Sequence, residues 1–510
     1  MPSELTFFKR ALPHIVGALS LCLIAILLFS LQNPVSLDDG LRHFAMARLM
    51  SEQGIAAADW SRFFSHGYFA HHTVDPWFLS NVAFIPFLPL GPILGLKLFA
   101  LFLILLLLVV FLYACFVFRT PPIVSAVSVG LLLFFDPSFF YRLLLGRPYE
   151  LITPLAVLII IAAISKRPFL IGLSLMLCVL LSQIFIFPLL IAFTAVLWRL
   201  SLCEWKEARM LLTWVFLGLF AGFFLHPDSL QYAFYIRDTF LRIPLLPGIE
   251  LGLEMQSGFR LGSRLLVIVG IVTLLHSVLF KEGITLRQYG ECGLSFLIFL
   301  TLLFITFFLL WARAVDFLWP TLILLLTLLL SVSPGIFSRT MIAILPKKLS
   351  GNRRMGFYIL LLLLASVVFS MHRTLRASDG DRSLETYTQA LRFVPQGAMV
   401  LNVDWHFFMP AVLVRPDLRY ATGIDPSYTY LDSPKALGLF ASLTTPKFQS
   451  SPTEEEVRAW LKEILALYPS DYLVFFRGRH ETIITKLEKD LKMIDVSGSR
   501  EVAVFRAKET

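Results

Sequence analysis

The chain has 510 residues, of which 57% are hydrophobic and only 15% charged, and its mean hydropathy is +0.76. Soluble domains do not have this composition, so a protein surrounded by water alone is excluded. The surplus of positive charge lies in the first 372 residues, with 26 Lys and Arg against 17 Asp and Glu, mainly in short loops, which argues against a nucleic-acid-binding protein.

Apolar runs long enough to cross about 30 Å of hydrocarbon as helices recur along the chain. We predict about eleven membrane spans, at approximately 14–31, 95–118, 123–137, 149–165, 168–183, 184–199, 210–226, 263–280, 292–311, 315–332 and 356–372. Positive residues concentrate in the loops that a cytoplasmic N-terminus would leave on the inner side. The sequence therefore predicts a polytopic α-helical protein of a cell inner (plasma) membrane, with its N-terminus inside and its C-terminus outside.

The segments predicted to lie outside are the longer and more polar ones. The stretch from Pro76 to Pro92 is apolar but contains four prolines, and counting it as a full span would reverse every later charged loop. We therefore predict a juxtamembrane or half-inserted helix there. The string HPDSLQYAF at 226–234 favours an amphipathic helix lying on the bilayer.

After the last predicted span, the composition becomes that of a soluble α/β domain. Short β-rich runs alternate with helical patterns at 398–403, 454–467, 471–476, 480–491 and 501–506. Thr453 precedes three glutamates and is a plausible helix N-cap. The sequence thus predicts a transmembrane catalytic domain over residues 1–372 and a soluble domain on the outer, periplasmic or extracellular face over residues 373–510.

The first outside loop opens with SLDDGLRHFAMARLM, which places Asp38 and Asp39 just beyond the first span. Adjacent carboxylates at a membrane surface suit a general base or a divalent-metal site. The alternative is structural, because an Asp followed by a helix from about Leu41 is also a typical N-cap. Both interpretations stay open at the level of sequence.

The same loop continues with HGYFAHHTVDPWF, which supplies His71, His72 and Asp75 as candidate substrate ligands. His72 together with Asp38 and Asp39 is a candidate ligand set for Mg or Mn. The spacing matches no strong metal motif, and histidines in a wet loop often have no ligand role. No cofactor is therefore predicted with certainty.

The second outside loop, DPSFFYRLLLGRPYELITP, carries Arg142, Arg147 and Glu150 between two spans. Arginine at a membrane surface binds phosphate bidentately, as a phospholipid-linked substrate requires. The alternatives are snorkelling of the arginines to the interface and an ion pair between Arg147 and Glu150. We predict a phosphate-binding or substrate-binding role for all three residues.

The layout of spans and the string SLDDGLRHFAMARL resemble the GT-C superfamily of integral-membrane glycosyltransferases. The chain is similar to protein O-mannosyltransferases, aminoarabinose transferases and bacterial families that use polyprenyl-phosphate sugars. The resemblance implies that Asp38 with Asp39 is the acidic pair of the first outside loop and that GRPYE at Arg147 supplies the arginine of the second. It also implies sugar transfer from a polyprenyl-phosphate donor to a lipid, glycan or protein acceptor of the cell envelope.

Two other classes of function remain as alternatives. One is a non-catalytic protein, ligase, polymerase or flippase of envelope polysaccharide assembly, and the other is a transporter. Transporters usually show inverted repeats and polar residues within broken helices at the membrane midplane. Here polar residues collect at the outer ends of the predicted spans, which favours the glycosyltransferase.

Overall fold

The computed structural model describes residues 39–56, 59–134, 136–242, 293–310, 314–332, 384–443 and 452–507. These residues form helices along most of the chain and a small sheet towards its carboxyl end. Asp38, the spans predicted at 14–31, 263–280 and 356–372, and the domain boundary predicted after residue 372 lie outside them.

The helices that precede the sheet vary from one turn to 27 residues. In chain order they are α1 (Asp39–Gln53), α2 (Tyr68–His71), α3 (Phe78–Phe84), α4 (Gly91–Val117), α5 (Pro122–Phe134), α6 (Pro137–Leu144), α7 (Ile152–Ile164), α8 (Pro168–Leu181), α9 (Ile186–Ser201), α10 (Trp205–Leu225), α11 (Ser229–Arg237), α12 (Leu294–Leu310), α13 (Val315–Val332) and α14 (Leu384–Ala390). Short 3₁₀ helices lie at Trp60–Arg62, Ile85–Leu90, Pro148–Leu151 and Gln183–Phe185.

The region of the sheet alternates strands and helices. Its elements are β1 (Met399–Asn402), α15 (Phe408–Val414), β2 (Arg419–Tyr420), α16 (Pro426–Asp432), α17 (Pro434–Ser442), α18 (Glu454–Leu467), β3 (Tyr472–Phe476), α19 (Arg477–Lys489) and β4 (Val502–Arg506). All three strand runs and both helices expected there are confirmed. The N-cap prediction is confirmed too, because Thr453 and Glu456 form a reciprocal capping box at the start of α18.

Apolar helices coincide with eight of the predicted spans in the part of the chain that the structure describes, namely α4, α5, α7, α8, α9, α10, α12 and α13. Three helical stretches there are long and apolar enough to cross a membrane, Phe78–Val117, Gln183–Ser201 and Trp205–Leu225. The chain is thus a helical membrane protein. The number of spans and the orientation stay predictions.

The proline-rich segment after Pro76 is helical, as expected. Helix α3 continues through the 3₁₀ turn Ile85–Leu90 directly into α4. Pro86 and Pro89 lie within that turn. Proline has no backbone N–H and cannot donate the hydrogen bond of a regular α-helix, and the tighter 3₁₀ helix interrupts that hydrogen-bond pattern here. Its depth in the bilayer stays a prediction.

The chain divides into two compact units. The first unit comprises Met1–Pro34, Ala100–Gly222 and Gly252–Ser378, and the second comprises Val35–Phe99, Phe223–Leu251 and Asp379–Thr510. The second unit therefore combines the carboxyl-terminal sheet with the first loop and with α11. The sequence predicts a single boundary after residue 372, because composition reports only on residues that are neighbours along the chain.

In the first unit, helices α8 and α10 approach closely through glycines. A Cβ atom on Gly218 would lie 2.3 Å from the backbone oxygen of Gly172, and one on Gly222 would lie 2.7 Å from the Cβ of Val179. Glycine at these positions allows the two backbones to pack directly against each other, as is common between membrane helices. The outer surface of α10 carries exposed phenylalanines such as Phe216 and Phe220, a surface suited to lipid.

In the second unit, the sheet has the strand order β2-β1-β3-β4. Strand β1 is parallel to both β2 and β3, whereas β4 is antiparallel to β3, so the sheet is mixed. The first loop extends the edge of this sheet, since Phe64 forms a parallel bridge with Tyr420 of β2. Tyr420 N donates to the Phe63 carbonyl at 2.7 Å, and Ser65 N donates to the Tyr420 carbonyl at 3.1 Å.

Candidate active site

Asp39, the member of the acidic pair that the structure describes, lies at the start of α1. Asp39 is the first residue of this helix, its side chain is 16% exposed, and its Oδ1 accepts a hydrogen bond of 2.9 Å from Arg42 Nε. An acid in the first turn also complements the positive end of the helix dipole. Since Asp38 lies outside the described residues, both the catalytic and the helix-start interpretation of the pair remain.

Arg42 binds Asp39 from a buried position. Its side chain is only 3% exposed, and its guanidinium carbon lies 4.2 Å from the ring centroid of Trp77 and 5.6 Å from that of Trp60. We call these two tryptophans the aromatic seat. Cation–π contact with desolvated rings stabilises a guanidinium, so the seat holds Arg42 in place and Arg42 orients the Asp39 carboxylate.

Asp75 lies beneath the aromatic seat and is 3% exposed. Its Oδ1 accepts hydrogen bonds from Trp60 Nε1 at 2.9 Å and from the Trp77 backbone at 3.1 Å, and its Oδ2 accepts one from Asn81 Nδ2 at 2.6 Å. Burial raises the pKa of Asp75 to about 6, although the hydrogen bonds from Trp60 and Asn81 act in the opposite direction. Its predicted role as a substrate ligand stays a prediction; in this structure both of its oxygens face protein donors.

The two candidate histidines are close in sequence but differ in environment. His71 ends α2, its side chain is 66% exposed, and its Nε2 lies 3.9 Å from a carboxylate oxygen of Asp432. His72 is partly buried; its ring stacks on Tyr68 at 4.0 Å, and its Nδ1 donates to the Tyr68 carbonyl at 2.8 Å. The Tyr68 ring and carbonyl thus fix the orientation of His72, while His71 faces the surface.

The structure describes two of the three predicted metal ligands, Asp39 and His72. Among the residues that the structure describes, no three His, Cys, Asp or Glu side chains come together in a way that would hold a metal ion. Asp38 is not one of these residues. Binding of Mg or Mn by Asp38, Asp39 and His72 therefore stays a prediction.

A cluster of buried tyrosines, which sequence reasoning did not assign to the site, lies near the first loop. Tyr68 donates to Asp238 Oδ2 at 3.3 Å, and the hydroxyls of Tyr235 and Tyr428 are 2.5 Å apart. Burial raises the pKa of Tyr68, and the nearby Asp238 carboxylate raises it further. These hydroxyls are therefore neutral, and they join the first loop, α11 and α16 within the second unit.

Helix α11 is present as expected, and its expected position on the bilayer surface stays a prediction. Tyr232 and Tyr235 of this helix are fully buried in the second unit. Just before the helix, His226 stacks on Tyr232 at 4.3 Å and donates from Nε2 to the Asp75 carbonyl at 3.0 Å. Burial lowers the pKa of His226 to about 4, so this ring is neutral at physiological pH.

The predicted residues of the second outside loop belong to the first unit. Arg142 Nη2 donates to Asp316 Oδ2 at 2.7 Å and to Glu150 Oε1 at 3.3 Å, and all three side chains are largely buried. Glu150 is thus paired with Arg142. Two carboxylates already compensate the charge of Arg142.

Arg147 directly precedes the 3₁₀ helix Pro148–Leu151, which leads into α7. Its backbone is extended, as expected for a residue before proline. The guanidinium carbon lies 5.9 Å from the ring centroid of Tyr149, and the residue is 9% exposed. The predicted roles of Arg147 and Arg142 as phosphate ligands stay predictions.

The chain shares its fold, helical along most of its length with a small mixed sheet at the carboxyl end, with solved structures of ArnT and of an archaeal oligosaccharyltransferase. This finding confirms the resemblance drawn from SLDDGLRHFAMARL and the layout of spans. No protein-family model matches the chain, and no curated protein matches it in sequence. The fold assignment therefore comes from solved structures.

One similar structure is ArnT from Cupriavidus metallidurans in the apo state, with a TM-score of 0.58, 14% identity and coverage of 98% of both chains. Another is the Archaeoglobus fulgidus oligosaccharyltransferase in the apo form, with a TM-score of 0.60, 12% identity and coverage of 93% of this chain and 71% of that one. The same enzyme tethered to an acceptor peptide containing the NVT sequon matches with a TM-score of 0.55 at 13% identity, over 95% and 72% of the chains. Identities this low show the fold and leave donor and acceptor undetermined.

Proposed function

We propose that this protein is a glycosyltransferase that moves a sugar from a polyprenyl-phosphate donor to an acceptor of the cell envelope. The observation that carries the proposal is the fold shared with ArnT over nearly the whole chain, together with Asp39 at the start of α1. The partners are the lipid-linked sugar, the bilayer and an envelope lipid, glycan or protein. We place the reaction on the periplasmic face of the inner membrane, with the N-terminus inside and the C-terminus outside.

The proposed reaction is an inverting displacement at the anomeric carbon of the donor sugar. The acceptor hydroxyl oxygen attacks this carbon while its proton passes to Asp38, with Asp39 as the second candidate base. The bond between the anomeric carbon and the phosphate oxygen breaks, and the polyprenyl phosphate leaves with the electron pair. Arg42 holds the Asp39 carboxylate at 2.9 Å and so fixes its orientation.

The leaving group is an anionic phosphate, so it requires positive charge rather than a proton. We assign this role to Arg147 ahead of Arg142. Arg142 is already bound by Asp316 and Glu150, and moving it to a phosphate would leave two buried carboxylates without compensation. Glu150 is then a residue that fixes Arg142 and not a direct substrate ligand.

The test is to replace each acid of the pair separately, as Asp38→Asn and Asp39→Asn, in the full-length protein. Asn caps a helix about as well as Asp, so a merely structural pair predicts normal expression and turnover. A catalytic pair predicts a loss of at least about a hundredfold in sugar transfer from purified polyprenyl-phosphate sugars for Asp38→Asn, with membrane insertion unchanged. Full transfer by both variants would refute this site.

A further inference from the structure

A continuous polar chain crosses the aromatic interior of the second unit. Asn81 Nδ2 donates to Asp75 Oδ2 at 2.6 Å, and the Asn81 carbonyl oxygen lies 2.6 Å from His43 Nδ1. His43 and Asn81 are completely buried, and the His43 ring meets the edges of Trp60 and Trp77 at 6.5 and 5.7 Å. We call Asp75, Asn81 and His43 the buried polar chain.

The orientation of Asn81 determines the state of the histidine. Its amide nitrogen must face the Asp75 carboxylate, because the opposite orientation would bring two acceptor oxygens together. Its carbonyl oxygen therefore faces His43, so His43 Nδ1 carries a proton and donates it. The Asp75 carboxylate thereby fixes both the tautomer and the ring orientation of a residue on α1.

Asp75 also supports the contact between Arg42 of α1 and the aromatic seat. Its Oδ1 holds Trp60 and the backbone of Trp77, the two residues of the aromatic seat on which Arg42 lies. Arg42 and His43 are three and four residues after Asp39, hence one helical turn from the acidic pair and on the same side of α1. One buried carboxylate thus anchors both residues of that turn.

Burying three polar groups among aromatic rings costs free energy that apolar side chains would not cost, so stability does not explain the buried polar chain. We infer that Asp75 and Asn81 are positioning residues, which hold α1 so that the acidic pair is presented in one orientation. The inference deepens the proposed glycosyltransferase function and rests on it for the effect on turnover. It assigns Asp75 to the support of the site and not to contact with substrate.

The inference predicts a particular pH dependence. Protonation of Asp75 turns one of its two acceptor oxygens into a hydroxyl, which weakens the hydrogen bonds that this oxygen accepts, from Trp60 and Trp77 at Oδ1 or from Asn81 at Oδ2. Two groups from α1 face Asp75: Arg42, and His43 through Asn81. Two groups from the segment around α11 also face it, His226 and Tyr232. The pKa of His226 is lowered to about 4, so this ring stays neutral above pH 5. Turnover should therefore fall below about pH 6, where Asp75 becomes protonated.

The experiment measures kcat/KM for sugar transfer between pH 5 and 8 with the purified full-length chain. The acidic limb is the fall of kcat/KM below about pH 6. Asp75→Asn should remove this limb and lower kcat/KM at neutral pH by roughly tenfold to a hundredfold. Asn81→Leu should move the limb to higher pH, because it removes a hydrogen bond that lowers the pKa of Asp75. Trp60→Phe, which removes another such bond, serves if Asn81→Leu does not fold.

The matched control is Asn402→Leu, since Asn402 is also completely buried but lies in β1. This variant loses the hydrogen bond from Thr422 N to its side-chain oxygen and the one from its amide nitrogen to the Asp404 carbonyl, and kcat/KM should fall at the same low pH as in the parent. A limb that persists in Asp75→Asn, or that moves equally in the control, would overturn the inference.

A second readout does not depend on turnover. Hydrogen exchange of the α1 amides should become at least roughly tenfold faster in Asp75→Asn and Asn81→Leu, and remain unchanged in Asn402→Leu. Unchanged α1 exchange in both variants would refute positioning whatever the activity. Faster exchange in a protein that transfers no sugar from any donor would instead refute the proposed function and leave the positioning of α1 supported.

Discussion

Replacing Phe64 in the first loop should destabilise the carboxyl-terminal sheet, more than 300 residues away in sequence. Phe64 is 4% exposed and stacks on Phe408 of α15 with centroids 4.7 Å apart. A Cβ atom on Gly423 would lie 2.5 Å from the Phe408 ring and 2.8 Å from that of Phe64, so the three residues are in close contact. No neighbouring side chain can fill the space that Phe64→Ala would leave without a rearrangement.

Truncation of a buried phenylalanine to alanine costs about 3–5 kcal/mol. Since each 1.4 kcal/mol corresponds to a factor of ten, the opened population of the second unit should rise by a factor of roughly 10² to 4 × 10³. Limited proteolysis of the purified full-length protein measures this change, provided that reclosing is faster than cleavage. We expect the cuts to appear between residues 384 and 507 as well as in the loop itself.

Phe393→Ala is the control, because Phe393 lies in the same unit but is 55% exposed. Its removal leaves no cavity and should change the rate of cleavage little. If Phe64→Ala were cleaved in the sheet region no faster than Phe393→Ala, the first loop and the sheet would not unfold together, and the reasoning would be refuted.

Two further predictions concern the lipid phosphate and the topology. Arg147→Lys keeps the charge but loses the planar guanidinium fork, so turnover should fall by about tenfold or more with normal membrane insertion; wild-type rates in purified protein would contradict a phosphate role. A reporter that is active only in the periplasm should work when fused after residue 380 or 510 and fail after residue 285, and a cytoplasmic signal from the 510 fusion would reverse the proposed orientation.

The elements of this fold that depend on neighbours along the chain were predictable. Spans appear as apolar runs, strands as short β-rich runs, and the start of α18 as Thr453 followed by Glu456, because each pattern forms within a few residues. The start of α1 at Asp39 was also close to the expected helix from about Leu41.

The environment of the site was not predictable in the same way. Asn81 was not singled out, since a lone asparagine in an apolar stretch has no informative spacing, and its partner His43 lies 38 residues earlier. Tyr235 and Tyr428 are 193 residues apart.

The pairing of the first loop with the edge of the sheet has a consequence for the order in which the protein matures. Ser65 and Tyr420, which are hydrogen-bonded, are separated by 355 residues. At about 5–20 residues per second, the ribosome needs roughly 20–70 s to make the second partner after the first. During that interval the loop behind the acidic pair has no strand to join. A chain that stops before residue 420 therefore loses the partner of its first loop as well as most of its sheet.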